Sequence, residues 1–229
     1  MVLGPPSPVR WAAEVPRLAW TIASIPGAWP GLMKAPRGDG RPVMVLPGLG
    51  NSDRSSVVLR RYLAALGYRA EGWGLGRNLG VRAVGAEAER LIERVRDLHG
   101  RAGPVTLVGV SLGGIMARLV AHRAPDLVRE VITVSAPYAG DPRATNVWRA
   151  FEWLSGERID SPAVIARSAE AAAPPPVPTT AIWSASDGLV NGLLCRDDQC
   201  RAIEIRSSHM GVQMKPATLR AIADVLAGR

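Results

Sequence analysis

The stretch Thr106–His122, "TLVGVSLGGIMARLVAH", decides how the rest of the chain is read. A run of strand formers ends in Gly-Val-Ser-Leu-Gly-Gly, and a helix pattern follows at once. Gly109-Val110-Ser111-Leu112-Gly113 has the form G-x-S-x-G, set between a strand and a helix. Such a corner is too sharp for side chains at Gly109 and Gly113. It holds the serine in a strained conformation that exposes its hydroxyl. The helix that follows aims unpaired N–H groups at the same spot.

Working outward, the pattern is strand and helix in alternation. "RPVMVLPGLG" is a buried strand, Val43 to Leu46, that runs into a Gly/Pro turn. Asp53 reads as the N-cap of a helix from Arg54 to Leu66, closed by Gly67. "YRAEGW" is a second strand. A Gly-rich loop then leads into a helix with Val84, Ala88, Leu91, Val95 and Leu98 on one stripe. "VTLVGV", "EVITVSAP", "TTAIWSAS" and "AIEIR" supply four more strands. A last helix runs from Met214 to Ala227, with Pro216 in its first turn. Short loops between such elements predict the α/β class: a mostly parallel sheet covered by helices on both faces. The segment Gly140–Pro178 contains no strand, and an insertion of that length is usually functional. Residues 1–42 read as a partly helical N-terminal extension and 43–229 as the domain, with a helical lid inserted at about 140–178.

A serine hydroxyl needs a base. The chain has three histidines. His99 ends a surface helix, and His122 ends the helix after Ser111. His209, in "IEIRSSHMGV", follows the last strand and so falls on the same sheet edge as Ser111. Asp187, in "IWSASDGLVN", directly follows the preceding strand and is the carboxylate expected to orient His209. Asp197, Asp198 and Asp141 are weaker alternates. The order Ser111, Asp187, His209 suits the strand–turn–helix placement of the serine. The backbone N–H of Leu112 and that of Leu49, in "LPGLGNSD", are the expected oxyanion donors.

With these residues in view, the chain resembles the α/β-hydrolases of the lipase and esterase kind, in particular the small bacterial lipases of lipase class 2. The matching pieces are "VMVLPGLG", "LVGVSLGG", "IWSASDGLV" and "SSHMGV", and the resemblance runs from Val43 to the C-terminus. "GWGLGRNLG" is also similar to a loop of a bacterial group of such hydrolases. The resemblance implies the α/β-hydrolase fold and hydrolysis of carboxylic esters through an acyl-serine, with no cofactor and no metal. One departure is Pro47-Gly48, where many lipases carry His-Gly. Trp148, Phe151, Trp153 and Leu154 give the 140–178 insertion an apolar face, expected to cover an acyl pocket. Leu193, Leu194, Met210 and Val212 are further expected lining residues. An amidase or thioesterase would use the same residues, and a non-catalytic binding module on the same fold is the rival from another class.

Composition bounds the partners. The 229 residues are 47% apolar, enough for one domain with a real core. The net charge is +8, carried by scattered arginines, since Lys34 and Lys215 are the only lysines. No basic arm or stripe points to nucleic acid. The glycines of "GWGLGRNLG" do not fit G-x-G-x-x-G, so no dinucleotide is expected. Cys195 and Cys200 lack metal-ligand spacing and read either as a small disulfide or as free thiols. The first 33 residues show neither a membrane span nor an export-signal pattern. A short amphipathic helix, Trp11 to Ala23, is expected there, its apolar run broken by Glu14, Pro16, Arg17 and Pro26. It packs on the domain or lies on a membrane surface. The expected protein is a monomer acting on a small-molecule or lipid ester. Its location is cytoplasmic or membrane-peripheral, or periplasmic or secreted if the cysteines are bridged.

Overall fold

The computed structural model describes residues 3–229. Six parallel strands form one sheet: β1 (Pro42–Leu46), β2 (Arg69–Gly72), β3 (Val105–Val110), β4 (Val128–Val134), β5 (Thr179–Trp183) and β6 (Arg201–Glu204), ordered β2-β1-β3-β4-β5-β6. In chain order the helices are α1 (Pro8–Ala12), α2 (Glu14–Leu32), α3 (Val57–Leu66), α4 (Val81–Val84) and α5 (Glu89–Ala102). Then come α6 (Leu112–Arg123), α7 (Trp148–Ser155), α8 (Pro162–Ala172) and α9 (Pro216–Leu226).

The period-2 pattern of the central strands builds two cores. Val43 and Val45 of β1, with Val108 and Ile132, pack against α3 and α9 through Leu59, Leu63, Leu219 and Ile222. Met44 and Leu46, with Leu107 and Val131, face Leu91, Val95 and Leu98 of α5 and Met116 of α6. Burial of each such side chain is worth roughly 1.5–3 kcal/mol. The strand order reverses between β1 and β3, and Leu46 pairs with Gly109 there. The loops after β1 and β3 therefore splay apart at this point and leave a crevice at the carboxyl edge of the sheet.

Several boundaries differ from the sequence reading. Residues Asp53–Ser56 form a 3-10 turn before α3, and the Asp53 carboxylate does not cap the helix. It accepts instead from the N–H groups of Trp73 (3.0 Å) and Gly74 (3.1 Å), which ties the loop after β1 to the loop after β2. The single helix expected over Val84–Leu98 is broken into α4 and α5, with Ala88 at φ 56° between them. The last helix starts at Pro216, after a separate 3-10 turn.

The N-terminal segment departs most. The expected Trp11–Ala23 helix is two helices, and α2 continues to Leu32 through Pro26 and Pro30. Each proline leaves the carbonyl four residues earlier unpaired. Those carbonyls belong to Ile22 and Pro26, both exposed residues. Glu14, read as an interruption of the apolar run, is buried at 2% exposure. No described helix is long and apolar enough to cross a membrane. Both cysteines are free thiols. Cys195 is buried, which pushes its thiol pKa well up.

Candidate active site

The corner at Ser111 is built from backbone contacts. Ser111 has φ 51° and ψ −121°, a conformation that side-chain-bearing residues seldom adopt. Its N–H bonds the Val134 carbonyl of the next strand at 2.9 Å, which anchors the strained residue to the sheet. A Cβ on Gly109 would lie 2.4 Å from the Gly113 carbonyl oxygen, and one on Gly113 would lie 2.5 Å from that of Leu46. Both glycines are thus dictated by close backbone approach, as the motif predicts.

Ser111, His209 and Asp187 come together. His209 Nε2 lies 3.1 Å from Ser111 Oγ, and His209 Nδ1 lies 2.7 Å from Asp187 Oδ2. The other Asp187 oxygen accepts from the N–H groups of Leu189 and Val190, both at 2.9 Å. That leaves Oδ2 aimed at the imidazole. Burial of His209 pulls its pKa down, but the charge and hydrogen bond of Asp187, with the Glu14 charge, outweigh it and the net shift is upward. The three alternate carboxylates and the two other histidines have separate tasks or places. Asp141 accepts from the Arg143 N–H at 2.8 Å. Asp197 accepts from Gln199 and Cys200, and Asp198 lies in the same turn. His122 Nε2 contacts the Ala173 carbonyl at 3.0 Å, and His99 lies within α5.

The loop after β1 runs along Ser111, with an imagined Cβ on Gly48 only 3.3 Å from the Ser111 Cβ. Leu49 and Leu112 both border the cavity beside Ser111. Leu112 opens α6, so its N–H has no helical partner and lies at the positive end of the helix dipole. The loop is clamped by Asn78, a fully buried residue of "GWGLGRNLG". Its Nδ2 donates to the Pro47 carbonyl at 2.7 Å, and its backbone exchanges 2.7 Å hydrogen bonds with Gly50 and Asn51. The sequence reading treated that stretch as a turn; the buried amide within it holds the loop against Ser111.

A cavity of about 140 Å³ opens beside Ser111. Ile115, Met116 and Leu119 of α6, Val84 of α4, Ile159 just before α8 and Val164 of α8 line it, with Trp148 and Phe151 of α7. The other expected lining residues lie elsewhere. Trp153 is 80% exposed, because two residues along a helix from Phe151 turns it to the opposite face. Leu193 and Met210 are partly exposed outside the cavity, and Val212 is in the α3/α9 core. Leu194 packs beneath Gly140 and Leu154 over Gly50. The lining from α4, α6 and α8 was not legible, since burial on one helix stripe looks the same whether it faces a core or a cavity. No described cluster of His, Cys, Asp and Glu could hold a metal ion.

The segment over the cavity is tied down by a buried cation. Arg118 of α6 is fully buried and donates to the carbonyls of Ala171, Ala172 and Ala173 at the end of α8. Its guanidinium also stacks 3.7 Å from the Tyr138 ring centroid and lies 3.6 Å from Asp197. A cation at a helix C-terminus is favoured by the dipole.

Comparison with known proteins bears on the fold. The model of a family described as "alpha/beta hydrolase fold" matches residues 29–160. A Bacillus licheniformis lipase, BlEst2, superposes with TM-score 0.62 at 16% identity, over 84% of this chain and 94% of that one. A metagenome-derived lipolytic enzyme of the LipS and LipT pair gives 0.63 at 17%, over 85% and 96%. A pyrethroid hydrolase, PytH, gives 0.59 at 16%, over 82% and 97%. A search of curated proteins found no match to the sequence.

Proposed function

Since the chain belongs to the alpha/beta hydrolase fold family, we propose that it is a serine hydrolase that cleaves carboxylic esters with apolar acyl chains. The observation that carries this reading is the line from Asp187 through His209 to Ser111, at 2.7 and 3.1 Å, ending beside an apolar cavity.

Ser111 Oγ attacks the ester carbonyl carbon as His209 Nε2 takes its proton. The carbonyl oxygen becomes an oxyanion, held by the N–H groups of Leu49 and Leu112. The intermediate collapses, the bond to the alcohol oxygen breaks, and His209 returns its proton to that oxygen. Water then attacks the acyl-serine, with His209 again as base, and the acid leaves as Ser111 regains its proton. Asp187 holds the imidazole tautomer and stabilises the imidazolium. Trp148 and Phe151, in the 140–178 insertion acting as a lid, cover the acyl chain.

The test is hydrolysis of p-nitrophenyl esters from acetate to palmitate by wild type and Ser111→Ala. Turnover by the wild type alone supports the reading. No turnover of any ester, with p-nitroanilides and acyl thioesters cleaved instead, moves it to amide or thioester substrates. No turnover of any of them favours a binding module.

A second reading concerns where the substrate lies. The exposed positions of α2 are all apolar side chains or glycine, with Trp20 at 71% exposure among Val15, Ile22 and Ala23. A tryptophan-bearing apolar helix face on a basic protein suits an anionic lipid surface. On this reading the protein is a membrane-peripheral lipid-ester hydrolase. It should float with phosphatidylglycerol vesicles, and Trp20→Glu should abolish flotation while turnover of p-nitrophenyl butyrate is unchanged. Retention of Trp20→Glu on the vesicles would contradict it.

A further inference from the structure

The sequence around Glu14, "AAEVPR", offers no sign of a role near Ser111, and Glu14 lies 195 residues before His209. Its side chain enters the site from the N-terminal end of α2. One oxygen, Oε1, accepts from the N–H of Gly188 at 2.8 Å and from that of His209 itself at 3.0 Å. The other, Oε2, accepts from the N–H of Met210 at 2.7 Å. Gly188 follows Asp187, so one carboxylate joins the backbone of the acid loop to that of the histidine loop. The fit is close: a Cβ on Gly188 would lie 2.4 Å from the Arg10 carbonyl oxygen.

We propose that Glu14 is a positioning residue for His209: it fixes the backbone of the base against that of the acid, and its charge stabilises the imidazolium formed during turnover. The inference rests on the reading of His209 as the catalytic base. A buried carboxylate is costly unless its lone pairs are satisfied, and three N–H groups satisfy this one. Other N-terminal side chains grip the same acid loop. Arg17 donates to the Ser186 carbonyl at 2.6 Å and to its hydroxyl at 2.9 Å, and Arg10 donates to the Ala185 carbonyl at 2.8 Å. Across from them, the Ser184 hydroxyl donates to the Ser207 carbonyl at 2.9 Å. The charged groups at the two loops include Glu14, Arg10 and Arg17 from the N-terminal segment, Asp187 from the acid loop and the exposed Arg206 from the histidine loop. Of these, Asp187 and Glu14 raise the His209 pKa. A staple placed only to hold a helix down has no need to bond the base's own N–H.

Glu14→Gln tests the inference, because it keeps the size and removes the charge and one acceptor. The expected result is a folded protein whose kcat on p-nitrophenyl butyrate falls about 10- to 100-fold, as misplacement of a catalytic group does, with KM little changed. The acid limb of the pH profile should move to lower pH, and Glu14→Asp, which restores the charge, should move it back. NMR titration of the His209 ring in the resting protein should show the same downward shift. That measurement needs no substrate, so it stands even if the ester reading fails. Glu14→Gln that melts earlier but keeps the wild-type kcat and His209 titration would overturn the proposal and leave Glu14 a structural staple.

Discussion

The corner at Ser111 and the loop at His209 face each other across 3.1 Å, yet they are held in opposite ways. Ser111 is held locally: a positive φ, two glycines that tolerate no Cβ, and a hydrogen bond to the adjacent strand. His209 is held from afar, by Asp187 in the preceding loop and by Glu14 near the other end of the chain. A local device leaves its signature in five consecutive residues. A device assembled from distant segments leaves almost none. The geometry of Ser111 is thus a backbone property, and that of His209 is a property of the tertiary structure.

Mutations can break that contrast on either side. The largest effect expected is from Asp187→Asn, which leaves the fold in place but removes the charge and the tautomer control. It should lower kcat by about 10³- to 10⁴-fold, measured on p-nitrophenyl butyrate. The pH dependence sharpens the same point. His209 must be neutral to act as base, and its pKa lies above the ordinary 6.5, so the wild-type acid limb of kcat/KM should centre above pH 6.5. In Asp187→Asn that limb should move to lower pH. The raised pKa also means that His209 stabilises the fold fully below about pH 6.5. That contribution is lost as pH rises through the folded-state pKa.

The local side breaks through folding. Gly113→Ala places a Cβ 2.5 Å from the Leu46 carbonyl oxygen and 2.7 Å from that of Pro47. Backbone cannot move aside as a flexible side chain can, so a loss of about 3 kcal/mol or more is expected, seen as a lower urea midpoint. Asn78→Ala removes the amide that holds the Pro47–Asn51 loop against Ser111. It should cost about 1–3 kcal/mol, the range for a buried hydrogen-bonding group left unmatched, and should raise p-nitrophenyl ester turnover barriers more than it weakens substrate binding. The smallest pair of effects lies over the cavity. Phe151→Ala should shift the preferred acyl chain length, and the exposed Trp153→Ala should leave the chain-length profile unchanged.

The strands, the sheet edge and the three residues Ser111, Asp187 and His209 were legible because each is announced by its neighbours. A buried run of Val, Leu and Ile marks a strand, and a polar residue just past it must lie at the sheet's edge. The break at Gly85–Ala88 was not, because hydrophobic periodicity continues from Val84 to Ala88 and Leu91 while the backbone does not. Nor was the 3-10 turn at Asp53–Ser56, because the Asp53 carboxylate that suits an N-cap is taken by the N–H groups of Trp73 and Gly74. Glu14 was read as an interruption because a carboxylate in an apolar helix is ordinarily solvated. Its burial depends on three backbone donors that arrive from residues 188–210. Trp153 was misplaced because tryptophan on a helix suggests an inner face, and only the position of Phe151 shows which face is inner.

The central claim is that Ser111 is an activated nucleophile, and a fluorophosphonate tests it without any choice of substrate. Wild type and Ser111→Ala would be treated with the reagent at neutral pH and followed by intact mass and peptide mapping. The account predicts one phosphonyl adduct, on Ser111, formed by the wild type and absent from the variant. A folded wild type that stays unlabelled at Ser111, or a variant labelled as fast as wild type, would contradict it.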